Sequence, residues 1–333
     1  MARKVTSSSI LGPVVATVVV TLLVGLTTDR FFLYENLRNI ALQVSIVALV
    51  GIGSTLVILT GGIDLSPGSA ITLLTMMFAT MLKFLYVPLS IAIIATIGFG
   101  AILGLWNGVL TAYLRIPSFI TTVASLSIFR GFAFMFNNGS PIFSISDSLT
   151  PLFYNTILGV PFVLFYVIIF FALAAFIMNY TELGRQMVAV GGNPNAARFS
   201  GINVKRITMI SFVLAGVMAG IGSVLMAARL NSGSPNYGVG MELSAIAAAV
   251  IGGTSLSGGK GNVISTLFGA LTITIVQNGL NLHAVETSVQ GVVIGLIIML
   301  AVFIDMWRVE MWSVLSRVGR LFARSGSGEA GHR

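Results

Sequence analysis

The chain consists of long apolar segments separated by short polar ones. Runs of about 20 apolar residues recur along almost the whole sequence, and a helix needs a run of that length to cross a bilayer. The segments are 10–27, 40–60, 68–86, 88–113, 118–136, 161–178, 207–228, 242–256, 262–282 and 288–306. The sequence therefore predicts an all-α polytopic membrane protein with about ten transmembrane segments.

Composition supports this fold class and excludes others. Only 8% of the 333 residues are charged, whereas a soluble domain carries about 25%. The chain has no cysteine and only two histidines, His283 and His332. A metal site of clustered histidine and cysteine is therefore excluded, and we expect no metal and no catalytic residues.

The distribution of positive charge predicts the orientation of the chain. With the N-terminus inside, thirteen of the eighteen basic residues fall on the inner side. The five on the outer side are Arg30, Arg38, Lys83, Arg130 and Arg229. Because cytoplasmic loops carry an excess of Lys and Arg, both termini are expected to be cytoplasmic. The net charge of +8 is then loop charge, and no nucleic acid is expected as a partner.

The sequence predicts a single transmembrane domain over residues 1–333. Residues 179–206 form a long cytoplasmic loop, and 307–333 form a basic cytoplasmic tail whose end has a disordered composition. Residues 137–160 form a second long connection on the outer side, and their scattered aromatic residues predict a short packed excursion. The lipid bilayer is therefore an expected partner of the chain.

Two similar polar breaks interrupt the apolar segments. "GGIDLSPG" at 61–68 and "GGTSLSGG" at 252–259 share two glycines, a Leu-Ser pair and a final glycine. Paired interruptions of this kind in two halves of a transporter indicate broken or re-entrant helices and an internal repeat near the pathway. The alternative is two unrelated turns with a similar composition. The predicted spans place both breaks on the cytoplasmic side, which implies a parallel repeat, whereas one re-entrant segment between the breaks would make the repeat inverted. The pathway residues predicted in the breaks are Gly61, Gly62, Asp64, Ser66, Gly252, Gly253 and Ser257.

The second break resembles a phosphate-binding loop only superficially. In "TSLSGGKG" the required first glycine is Thr254, and the residue after Lys260 is Gly261 where Ser or Thr is needed. No strand context surrounds it. We therefore expect this chain to bind no ATP and no other cofactor.

The cytoplasmic loop contains the signals of a short helix. Asn193 is a helix cap, Pro194 a favoured first residue, and Gly201 a stop. The helix presents Ala196, Ala197 and Phe199, which suits docking into a groove on another protein. The alternative is a helix on lipid headgroups with Arg198 facing phosphate.

Several separate motifs resemble one family. They are "LGRQMVAVGGNPNAARFSGIN" at 183–203, "ILTGGIDLSPGS" at 58–69, "RIPSFITT" at 115–122, "RGFAFMFNNGSPI" at 130–142, the stretch 214–271, and "NGLNL" at 278–282. Together they resemble the permease subunits of sugar ABC importers, the ribose/xylose/galactoside group, and are nearest to its ribose permeases. Pro67 is a departure, because the family often has Val there.

The resemblance implies a set of partners and a location. They are a cytoplasmic ATPase with two nucleotide-binding halves, a periplasmic or lipoprotein sugar-binding protein, and a second permease chain in a homodimer or heterodimer. ATP and Mg²⁺ would bind the ATPase, and the chain would lie in the bacterial inner membrane. By this resemblance the loop docks on the ATPase, and the coupling residues are Gly184, Asn193, Ala196, Ala197, Arg198 and Gly201.

Polar residues inside the apolar segments have alternative roles. A carboxylate at membrane depth is costly, so Asp64 is an anchor for the first break, a contact for sugar hydroxyls, or a boundary loop residue. Ser66 and Ser69 favour capping of the next helix. The amides Gln43, Asn107, Gln277 and Asn278 either contact substrate or bind helices together.

The competing function is a secondary transporter of a small neutral solute. Such a protein should carry several ionisable residues within its spans for ion coupling, and this sequence has almost none. The sequence does not distinguish pentose, hexose and polyol substrates, because the binding proteins of such systems carry most of the selectivity.

Overall fold

The structure is a computed structural model that describes residues 8–304. Its helices are α1 (Ser8–Thr27), α2 (Tyr34–Leu59), α3 (Pro67–Lys83), α4 (Leu89–Ala112), α5 (Ser118–Met135), α6 (Leu149–Tyr154), α7 (Phe162–Tyr180), α8 (Glu182–Gly192), α9 (Pro194–Phe199), α10 (Val204–Leu230), α11 (Met241–Ile251), α12 (Val263–Leu282) and α13, described over Thr287–Ile304. Four two-residue strands are β1 (Ile142–Phe143), β2 (Thr156–Ile157), β3 (Val160–Pro161) and β4 (Ser232–Gly233). The all-α prediction is confirmed.

The predicted membrane segments correspond to helices, with two exceptions in length. Within the described residues, eight helices are long and apolar enough to cross a membrane. The third and eighth predicted segments are shorter, since α3 has 17 residues and α11 only 11. The predicted tail at 307–333 lies outside the described residues.

Prolines mark where several helices begin. Pro88, Pro117 and Pro161 directly precede α4, α5 and α7. Pro67 and Pro194 are the first residues of α3 and α9. Proline suits these positions because its missing N–H has no partner in the first turn of a helix.

The bundle is arranged around α2, which is buried from Val44 to Leu59. α10, α11, α12 and α7 pack against it. α4 crosses α10 closely at Gly104 and Gly216, because neither residue has a side chain to separate the two backbones. α1 and α13 lie at the periphery with most of their apolar side chains exposed, as expected for surfaces that face lipid.

The two ends of the bundle differ. One end carries α8 and α9 and is called here the loop end. The other carries the 136–161 connection and is called the hairpin end, because β2 and β3 form a hairpin there and β1 pairs antiparallel with β4. Leu149 and Phe153 of α6 are fully buried, so the predicted packed excursion at 137–160 is found.

The helix breaks and the connecting loop as a candidate functional site

The two sequence breaks lie side by side at the loop end. Break 1 is residues 60–66, between α2 and α3, and break 2 is residues 252–262, between α11 and α12. The backbone N–H of Gly259 donates to the carbonyl of Leu59, the last residue of α2, at 3.0 Å. The two breaks therefore open onto the same end of the bundle, a relation that the sequence left open.

Break 2 is a compact series of turns. The N–H of Thr254 donates to Ala249 O, and the N–H of Ser255 donates to Lys260 O, both at 2.9 Å. Asn262 then caps α12, because its Oδ1 accepts from the N–H of Ile264 at 2.9 Å. Gly253 and Ser257 are exposed.

Break 1 instead enters the bundle, and Asp64 is buried within it. Asp64 Oδ1 accepts from the backbone N–H of Ser66 at 2.8 Å and from its Oγ at 2.7 Å. Asn107 Nδ2 of α4 donates to Ser66 Oγ at 2.8 Å, and Ser125 Oγ of α5 donates to Asn107 Oδ1 at 2.6 Å. This chain of bonds joins the break to two neighbouring helices, which is the anchoring geometry considered for Asp64.

Ser66 and Ser69 do not cap α3 as expected. Ser66 occupies the position before the helix, but its side chain makes no capping bond. Its hydroxyl is used by Asp64 and Asn107 instead. Ser69 donates to the carbonyl of Ser66 at 2.9 Å. The Ser66 hydroxyl therefore joins the break to α4, and the Ser69 hydroxyl bonds back to the break. Neither hydroxyl accepts from an N–H group of the first turn of α3.

The loop between α7 and α10 contacts the end of α2 and break 2 through one glycine. Gly191, near the end of α8, lies so close to Leu59 O and Gly259 N that a Cβ at this position would collide with both backbones. Leu59, Gly191 and Gly259 are called here the junction. The junction therefore brings the end of α8 against the end of α2, directly before break 1, and against break 2.

Side-chain caps hold the loop in shape. Thr181 accepts from the N–H of Gly184 at 3.4 Å, Asn193 from Ala196 at 3.0 Å, and Asn203 from Arg206 at 3.1 Å. These bonds begin α8, α9 and α10 in turn. The predicted cap at Asn193 is confirmed. Gly201, with a φ of +82°, follows α9 as predicted.

Two of the predicted coupling residues are buried, and this corrects the expectation that Ala197 is presented to a partner. Ala197 is only 3% exposed and belongs to the main apolar core, because α9 turns one face onto the bundle. Gly184 is buried against the backbone of Ile177 and Met178 at the turn from α7 to α8. Both residues shape the loop from within.

The outer face of α9 is left to Ala196, Arg198 and Phe199, all of which are exposed. Phe199 is 91% exposed, an unusual position for an aromatic ring. The sequence predicts that α9 presents this residue for docking, although Phe199 is not one of the coupling residues that the family resemblance implies. Its signal in the sequence is the i, i+3 spacing from Ala196, which places both residues on one side of a helix.

The intramembrane amides differ in their surroundings. Asn107 belongs to the network of break 1. Asn278 of α12 exchanges two hydrogen bonds with Asn36 of α2, at 2.8 and 3.1 Å, and joins these helices near the hairpin end. Gln43 donates to Asn39 at 3.1 Å, and Gln277 is half-buried. In this structure Asn107 and Asn278 bind helices together.

The comparisons with known proteins cover most of the chain. The family model described as "Branched-chain amino acid transport system / permease component" matches residues 36–302. The ribose import permease protein RbsC of Escherichia coli K12 is 40% identical over 295 residues, which are 87% of this chain and 92% of that protein. That of Bacillus subtilis 168 is 37% identical over 297 residues, 89% and 92% of the two chains.

A relative named for another sugar is also similar. The D-allose transport system permease protein AlsC of E. coli K12 is 35% identical over 288 residues, which are 86% of this chain and 88% of that protein. The chain belongs to the sugar ABC importer permease family. No solved structure matches it.

Like its relatives, this sugar importer permease is a transport subunit and not a catalytic enzyme. The region that matches the family model contains both breaks and α8–α9, whereas α1 precedes it. Among residues 8–304, no three His, Cys, Asp or Glu side chains come together in a group that could hold a metal ion.

Proposed function

We propose that this permease is the membrane subunit of an ATP-driven importer of a monosaccharide or related polyol in the bacterial inner membrane. It forms the translocation pathway with a second permease chain. A cytoplasmic tandem-domain ATPase docks at the loop end and binds ATP and Mg²⁺, while this chain binds no cofactor. A periplasmic or lipoprotein binding protein delivers the sugar to the hairpin end.

The junction is the observation that carries this proposal. A coupling loop must expose a surface to the ATPase and must also touch the parts of the pathway that move. Here α9 exposes Phe199, and α8 places Gly191 against Leu59, directly before break 1, and against Gly259 of break 2. A displacement of α9 by the ATPase therefore reaches Leu59 and Gly259 through backbone contacts, without any flexible side chain between them.

Charge supports placing the loop end in the cytoplasm. Six basic residues lie at that end: Arg115, Arg185, Arg198, Lys205, Arg206 and Lys260. Arg30, Arg38, Lys83 and Arg229 lie at or near the hairpin end. An excess of Lys and Arg is typical of cytoplasmic loops. With ten crossings, which count α3 and α11, this orientation leaves both termini in the cytoplasm.

The docking surface is tested by introducing a negative charge on the exposed side of α9. Phe199→Glu should weaken co-purification of the cognate ATPase by about 30-fold, the effect of losing an interface anchor of about 2 kcal/mol. Leu158→Glu is the matched control, because Leu158 is 99% exposed at the hairpin end. The control should retain the ATPase. Equal retention by both variants would show that α9 is not the docking helix.

The energy source separates this proposal from a secondary transporter. Vesicles that contain the permease, its ATPase and its binding protein should accumulate sugar only when ATP is present on the side of the membrane that the loop end faces. Uptake driven by an ion gradient in the permease alone would contradict the proposal. The substrate class is best found by a thermal-shift screen of the cognate binding protein with D-ribose, D-allose and D-xylose, the sugars named in its relatives.

A further inference from the structure

The helix α11 begins near the middle of the bundle. A small core cluster joins Ala245 of α11 and Ala70 of α3 to Val50 and Ala219. Val50 is the seventeenth of 26 residues of α2, and Ala219 is the sixteenth of 27 residues of α10. Since both helices are long enough to span a bilayer, this cluster marks its mid-depth. Glu242 lies less than one turn from Ala245, so it too lies near the midplane.

The chain that leads into α11 is irregular at this depth. It runs beside α3, where Thr72 Oγ1 donates to the carbonyl of Tyr237. Gly238 and Gly240 both have a φ of +77°, which ends any regular helix before Met241. Irregular backbone at membrane depth is tolerated only where protein or water surrounds it, because lipid cannot satisfy its N–H and C=O groups.

Part of this segment is not covered by the rest of the chain. Asn236 is exposed, Val239 is 60% exposed, Glu242 is half-buried and Leu243 is 43% exposed. These four residues are called here the midplane face. An amide and a carboxylate on an open surface at mid-depth are unsuited to lipid, where a charged side chain costs about 3 kcal/mol or more.

Glu242 is held by defined contacts. Its carboxylate lies over Gly68 at the start of α3, where a Cβ would collide with Oε2. It also lies within electrostatic reach of Arg130 on α5. One side of the carboxylate is thus fixed by protein, and the half-exposed side is free for a ligand that donates hydrogen bonds. Sugar hydroxyls are such donors, and a carboxylate is a strong acceptor for them.

We propose that the midplane face lines the water-filled translocation pathway and that Glu242 accepts hydrogen bonds from the hydroxyls of the passing sugar. This rests on the proposed importer function and adds to it a place on the pathway. Asp64 has no such role, because it is enclosed by the network of break 1.

The first test uses the natural absence of cysteine. Val239→Cys in the assembled complex should react with the charged, membrane-impermeant thiol reagent MTSET in the nucleotide-free or the ATP-bound state. The matched control is Ile168→Cys, because Ile168 is 63% exposed on the apolar helix α7, a surface that we expect to face lipid. Charged reagents do not modify thiols in lipid, so the control should stay unmodified. A Val239→Cys variant that stays unmodified in both states, with lipid or the second chain covering the face, would overturn the proposal.

The second test removes the charge of Glu242. In the full complex, Glu242→Gln should raise the half-saturating sugar concentration for ATP-driven uptake by roughly tenfold, the effect of losing one charge-assisted hydrogen bond. Co-purification of the ATPase should be unchanged. Glu286→Gln, at an exposed residue of the hairpin end, is the control. Unaltered uptake by Glu242→Gln would contradict a sugar contact.

The two proposals fail in distinguishable ways. If the complex imports sugar with ATP but the midplane face is closed to MTSET, only the pathway assignment is wrong. If the permease transports without an ATPase, the importer function is wrong, whatever the reactivity of Val239→Cys. The cysteine test keeps its value if Glu242→Gln fails to fold, because Val239 is not among the groups that hold the carboxylate.

Discussion

The two breaks share a sequence pattern but not an environment. In break 1, Ser66 is buried and its hydroxyl joins Asp64 to Asn107. In break 2, the corresponding Ser257 is exposed. Break 1 runs into the bundle as far as the start of α3, whereas break 2 lies at the loop end as a series of turns. The same two glycines and Leu-Ser pair therefore permit either a deep anchored segment or a surface turn.

The helices on either side show why. α2 has 26 residues and α3 has 17, whereas α11 has 11 and α12 has 20. The short helix follows break 1 but precedes break 2. Irregular chain covers the part of the membrane that each short helix does not span: break 1 before α3, and residues 231–240 before α11. Irregular backbone thus reaches mid-depth on one side of each short helix.

The largest expected effect concerns the contact between the breaks. Gly191→Val places a side chain against the backbones of Leu59 and Gly259, and overpacking costs about 1–3 kcal/mol or more when backbone must shift. We expect sugar uptake to be abolished, because the junction connects the loop to both breaks. Gly192→Val is the matched control, since nothing lies within 4 Å of a Cβ there. Uptake assays in vesicles compare the two, and equal uptake would argue against the junction.

The next effect distinguishes the two serines directly. Ser66→Val removes the hydroxyl that donates to Asp64 and accepts from Asn107, and it should lower stability by about 2–3 kcal/mol. Ser257→Val at the corresponding exposed position should change stability by less than about 0.5 kcal/mol. Thermal stability of the purified permease, followed by size-exclusion chromatography after heating, measures the difference. Similar melting of both variants would mean that the breaks are equivalent after all.

The smallest effect concerns how the following helices begin. α12 has a side-chain cap from Asn262, whereas α3 has none. Asn262→Ala should therefore destabilise the permease by about 1 kcal/mol, the usual value of a lost helix cap. Asn262→Asp, which retains a capping oxygen, should restore the stability in the same heating assay. A loss that Asp does not rescue would point to a role for Asn262 other than capping.

Local features of the sequence predicted local structure well. Asn193, Pro194 and Gly201 predict the cap, start and stop of α9, and each is found at its place. These signals depend on a few neighbouring residues and on backbone geometry. Which side of α9 packs against the bundle was not predictable from such local signals. Ala197 points into the bundle only because α9 meets the core on that side, which depends on helices distant in sequence.

Depth in the membrane was the harder quantity. The residues 242–256 form the shortest of the predicted segments, and Glu242 is its first residue. The structure places Glu242 near mid-depth because the preceding ten residues descend beside α3 before any helix begins. The available signal was the shortness of the segment together with the glycines at 238 and 240, which predict a break but not its position.

By itself, the sequence determined the all-helical membrane fold, the order of the spans, the two breaks and the caps of the connecting loop. Each of these follows from composition or from interactions within one turn of helix. Only the tertiary structure decided that the breaks adjoin, that Gly191 contacts both Leu59 and Gly259, that Asp64 is enclosed and that Glu242 is half-buried. These depend on contacts between residues far apart in the chain, because burial is set by the packing of several helices together and not by any one of them.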